Sequence, residues 1–72
     1  MLLETNKYFT FEKEVECKGI KFELYNDDYG QCYVLAWTEN GKVKSGGCGT
    51  FNDYVLEMEG IANYLIEKGI KQ

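Results

Sequence analysis

Residues 8–17, YFTFEKEVEC, alternate with period two, the pattern of a strand with one face turned to a core. Phe9, Phe11, Val15 and Cys17 fall on one side, and Tyr8, Thr10, Glu12, Glu14 and Glu16 on the other. Only Lys13 breaks the apolar row. Lys18-Gly19 then offers a two-residue turn, with Gly supplying positive φ, and Ile20, Phe22 and Leu24 continue the apolar face on a second strand at 20–25. The cluster Asn26-Asp27-Asp28-Tyr29-Gly30 is turn chemistry, and 31–38, QCYVLAWT, predicts a third strand that is apolar on both faces. Asn40-Gly41 is the strongest hairpin signal in the chain, a type I′ turn into a short fourth strand at 42–45.

The last third of the chain changes period. Phe51, Tyr54, Val55, Met58, Ile61, Ala62 and Leu65 recur at helical spacing, which predicts an amphipathic helix over 51–68. Thr50 and Asp53 have the spacing of a capping box. At the other end Gly69 suits a left-handed C′ position with Ile70 folding back on Leu65, and Lys68 and Lys71 complement the helix dipole. Gly60 falls inside the helix, where it costs about 1 kcal/mol relative to Ala, and nothing in its sequence neighbourhood explains it.

Sheet and helix each have one apolar face, so the pattern predicts an α+β fold: a four-stranded antiparallel meander (8–17, 20–25, 31–38, 42–45) with one C-terminal helix (51–68) packed on it. Pairing Cys17 with Ile20 and Tyr25 with Gln31 places Phe22, Leu24, Cys32, Val34 and Ala36 beneath the helix. It sends Tyr25, Tyr33, Leu35 and Trp37 to the opposite face, beside Glu12, Glu14, Glu16 and Glu23. A one-residue slip of the third strand would reverse that strand and put Trp37 in the core. Phe9, Phe11, Phe22, Phe51 and Tyr54 are expected to be core aromatics.

Composition narrows the class. The 72 residues carry eight lysines, twelve acids, no arginine and no histidine, for a net charge of −4. That is one domain over 1–72, with residues 1–7 an arm that no pattern orders. The acidity argues against direct binding of nucleic acid, where basic residues dominate. No stretch approaches the ~20 apolar residues of a membrane helix, and the start MLLETNKYF lacks the pattern of a signal peptide. The expected location is therefore cytoplasmic. Cys17, Cys32 and Cys48 are an odd number without a CxxC pair, which argues against a disulfide scaffold or a zinc site, and no metal or cofactor is expected.

Two surfaces compete for function. The first is the sheet face away from the helix, where Tyr25, Tyr33, Leu35 and Trp37 would stand beside Glu12, Glu14 and Glu23. An exposed aromatic patch of that kind suits a protein interface, and the glutamates suit a partner with a basic surface. Two competing readings are that the arm, with Leu2 and Leu3, covers the patch, and that the glutamates only keep an edge strand from aggregating. The second surface is the run Ser45-Gly46-Gly47-Cys48-Gly49-Thr50 ahead of the helix. With Lys42 and Lys44 it could hold an anion or nucleotide, although it matches neither a P-loop nor a dinucleotide fingerprint.

The sequence thus predicts a small acidic, non-enzymatic interaction protein that binds a larger protein through the sheet face. Stoichiometric inhibitors and regulators of the phage counter-defence, anti-CRISPR or immunity type belong to this size and charge class. The same face could seal a homodimer. An oligomeric nucleotide or small-ligand binder using residues 45–50 is the alternative.

Overall fold

The computed structural model describes residues 1–27, 32–48 and 54–72. Four strands, β1 (Phe9–Cys17), β2 (Ile20–Asp27), β3 (Cys32–Glu39) and β4 (Lys42–Cys48), form one antiparallel sheet in the order β1-β2-β3-β4. A single helix, α1 (Tyr54–Lys68), follows and packs on one face. This is the α+β meander and helix that the periodicities predict. Residues 51–53, including Phe51, and the capping pair Thr50 and Asp53 lie outside the described residues.

Both short turns have the expected chemistry. Lys18 and Gly19 have φ of 53° and 82°, and Asn40 and Gly41 have 52° and 82°, so both are of the primed type that matches strand twist. The helix ends as predicted: Gly69 takes φ 68°, its N–H donates to the Ile66 carbonyl, and the Ile70 N–H donates to the Leu65 carbonyl at 2.9 Å. That pair of bonds is a Schellman motif, and it brings Ile70 onto the core.

Two registers differ from expectation, and both move aromatic side chains. In β1 the ladder slips between Phe11 and Lys13, making Glu12 the extra residue of a β-bulge. Cys17 pairs with Ile20 as expected, and Val15 and Cys17 stay beneath the helix, but Phe11 and Phe9 fall opposite Tyr25 and Asp27 on the other face. They are not core residues under α1. Phe9 stacks on Tyr25 at 5.3 Å between ring centroids and Phe11 meets it edge-on at 5.6 Å.

The second difference is larger. Tyr25 pairs with Val34, not with Gln31, because Asn26 and Asp27 continue β2 and pair with Tyr33 and Cys32. An odd shift of three residues turns every β3 side chain to the opposite face. Leu35 and Trp37 therefore lie beneath the helix with Phe22, Leu24, Met58, Ala62 and Leu65, while Val34 and Ala36 share the face of Tyr25. The outcome favours burial of bulk: Leu and Trp, not small side chains, fill the layer under α1, and a fully buried Leu or Phe is worth about 1.5–3 kcal/mol.

The chain ends tie the sheet down from outside. Past Gly69 the tail returns to the turn of the second hairpin, where the Gly41 N–H donates to the Gln72 main-chain oxygen at 3.0 Å. The Gln72 side-chain amide accepts from the Lys21 N–H and donates to the Lys21 carbonyl, both at 2.9 Å. It satisfies the strand end as a neighbouring backbone would.

Candidate functional site

The predicted sheet-face constellation does not assemble. Tyr33, Leu35 and Trp37 project beneath α1, and Glu14, Glu23 and Tyr25 project from the other face. Leu35 and Tyr25 are both fully buried and Trp37 is 8 % exposed. Tyr33 stacks on Tyr54 of the helix at 6.1 Å. Glu12 and Glu14 are exposed, the first as the bulge residue and the second directly opposite Glu23.

Tyr25 is buried between Phe9 and Phe11, which pack on its ring, and the arm, which reaches its hydroxyl. The Leu2 N–H donates to Glu23 Oε1 at 2.7 Å, the Leu3 N–H donates to the Tyr25 hydroxyl at 3.1 Å, and that hydroxyl donates to the same Glu23 oxygen. Burial by itself would raise the Glu23 pKa, but the hydrogen bonds from Leu2 and Tyr25 and the charge of the N-terminal ammonium together outweigh it and hold the carboxyl below its ordinary value. Burial, followed by the Glu23 carboxylate, pushes the Tyr25 phenol up, so it stays a neutral donor. Residues 1–3 thus act as a thin third layer, and the aromatic patch predicted as an interface is closed over by the chain itself.

The glycine-rich run also changes character. Ser45, Gly46, Gly47 and Cys48 are not a loop but the second half of β4, paired with Ala36, Leu35, Val34 and Tyr33; Gly49 and Thr50 lie outside the described residues. Their backbone groups on the β3 side are committed to the ladder, which leaves fewer amides to converge on an anion. A Cβ on Gly46 would lie 3.4 Å from the edge of the Trp37 ring, in contact with it. Lys42 and Lys44 are exposed on the same strand, opposite Glu39 and Trp37.

What sequence reading missed lies along the helix. Among the described residues, Leu56 and Tyr64 are 72 % and 50 % exposed and flank Gly60 at i−4 and i+4, so the three form one ridge. Beside that ridge runs an open groove of about 290 Å³, bounded by Leu56, Gly60 and Tyr64 on one side, Trp37 and Ile61 below, and Glu39 and Glu57 at its rim. Trp37 is held in place: its Nε1–H donates to Glu39 Oε2 at 2.9 Å, and Phe22 meets its ring edge-on at 5.9 Å. A Cβ on Gly60 would meet nothing within 4 Å. The 4/4 spacing of Leu56, Gly60 and Tyr64 was present in the sequence, but the reversal of β3 is what sets Trp37 beside it.

Among the described residues no three Cys, Asp or Glu side chains gather closely enough to hold a metal ion, and no helix is long and apolar enough to cross a membrane. No family model, characterised protein or solved structure matches this chain.

Proposed function

We propose that this chain is a small acidic, non-enzymatic interaction module that acts by occupying a larger protein, in the manner of a stoichiometric inhibitor or regulator of the counter-defence or immunity type. The observation that carries the reading is the ridge of Leu56 and Tyr64, large apolar side chains left in water beside the Trp37 groove. Tyr is among the residue types enriched at interface hot spots, and exposed apolar surface beside a hollow suits a protein contact. The exposed glutamates of β1 and the net charge of −4 favour encounter with a basic surface. With Tyr25 and Trp37 buried, the contact is assigned to the helix flank and not to the sheet face.

The test is affinity capture from extract of the cells that make the protein. Wild type is expected to retain one larger protein in a fixed ratio, and Leu56→Asp, a change at an exposed position, is expected to lose it while melting normally. Retention of nothing by a well-folded monomer would sink the reading. A nucleotide binder would instead be stabilised by its ligand through mass action; under the reading proposed here a panel of nucleotides leaves the melting temperature where it is.

A further inference from the structure

We infer that the groove beside Gly60 is the seat for a segment of the partner protein that presents an apolar side chain flanked by Lys or Arg. The inference rests on the interaction reading above and specifies the contact. Gly60 is its first support. A glycine inside a helix disfavours folding, and here the fold receives nothing in return: the residue is exposed, no atom crowds it, and its backbone is ordinary helix. What the missing side chain supplies is the volume of the groove itself.

The floor is the second support. Trp37 is fixed by Phe22 and Glu39, so the hollow exists before anything enters it, and a preformed site loses less ordering entropy on binding. Charge is the third. Both charged residues lining the groove, Glu39 and Glu57, are carboxylates. Lys42 and Lys44 stand on the adjoining strand and do not line it. A second copy brings a net charge of −4 and the same two carboxylates, so the groove favours it less than an apolar anchor with cations beside it, which satisfies floor and rim together.

Trp37 is the one tryptophan in the chain, so its fluorescence reports on the groove directly. The probes are a helical Lys-Leu peptide with segregated faces, its Glu-Leu counterpart, and a Lys-Leu peptide of scrambled order. Only the first is expected to protect Trp37 from acrylamide quenching, and to do so saturably. Gly60→Leu fills the groove and Glu57→Lys reverses its rim; each is expected to weaken that binding by at least about tenfold, whereas the charge-matched Glu16→Lys on the far strand changes it by less than about twofold. Gly60→Leu is expected to melt no lower than wild type, so its loss of binding cannot be unfolding. Equal binding of the two Lys-Leu peptides, equal binding of the Glu-Leu peptide, an unaffected Gly60→Leu variant, or protection of Trp37 that grows with protein concentration alone would each overturn the proposal. A partner captured from extract equally well by Gly60→Leu would overturn it too, while leaving the broader interaction reading in place.

Discussion

Glu23 shows how one residue decides what a whole face can do. On the strand pattern it is another exposed acid facing Glu14, a like-charge pair that weakens a hairpin. In the structure its carboxylate is the anchor for Leu2 and Tyr25, and its negative charge closes the arm over the aromatic face. Its folded-state pKa lies below the ordinary 4.5. The stabilisation is therefore fully present above that pH and is lost as the pH falls through the folded-state value. Glu23→Gln should cost about 1.5–3 kcal/mol at neutral pH, the range for a hydrogen bond to a charged group. As the pH falls through the folded-state value the difference between variant and wild type should shrink, because the wild-type carboxyl then loses its charge as well. Thermal melts across that range check it; a gap that stays constant with pH would remove Glu23 from the role of anchor.

At the scale of elements, the bulge in β1 does what a regular strand could not. It lets Val15 and Cys17 face the helix while Phe9 and Phe11 reach Tyr25 on the other side. Without it, the period-two alternation would put Phe9 and Phe11 on the helix side of the sheet. Glu12 is the surplus residue, so deleting it leaves Phe11 opposite Tyr25 and Lys13 opposite Leu24 in a continuous ladder. The deletion is expected to be tolerated, with a cooperative melt retained. Deleting Glu16 instead turns Val15 out of the core and should lower stability more. The comparison of the two melts tests the assignment, and equal damage from both deletions would refute it. The same logic explains the reversal of β3: a second strand that runs two residues further, through Asn26 and Asp27, changes which half of QCYVLAWT meets the helix.

For the molecule as a whole, both chain ends act as closures on a sheet too small to enclose itself. A chain of this length buries only about 60 % of its unfolded surface, and the arm on one face and the tail at one end add contacts that strands and helix alone would not make. Gln72 joins the first hairpin to the second through Lys21 and Gly41. Gln72→Ala should cost about 1 kcal/mol, the net worth of a typical hydrogen bond, and should speed hydrogen exchange at the Lys21 amide more than at Phe22 or Leu24. Unchanged protection at Lys21 would show that the tail does not hold the strand end.

Local chemistry was legible in the sequence. The turns at Lys18-Gly19 and Asn40-Gly41, the Gly69 stop, the period-two strands and the period-3.6 helix all depend on neighbours within a few residues, and such interactions act before the chain has folded. The sequence by itself therefore determined that this is a four-stranded meander carrying one helix. The tertiary structure decided which faces meet. The site expected on the sheet dissolved because β3, apolar on both sides, satisfies the alternation in either orientation, and the choice fell to the packing of Trp37 and Leu35 against α1. The arm covers Tyr25 through hydrogen bonds spanning 21 and 22 residues, a separation no periodicity records. The groove at Gly60 follows from the first of these decisions, since it exists only once Trp37 lies beneath the helix.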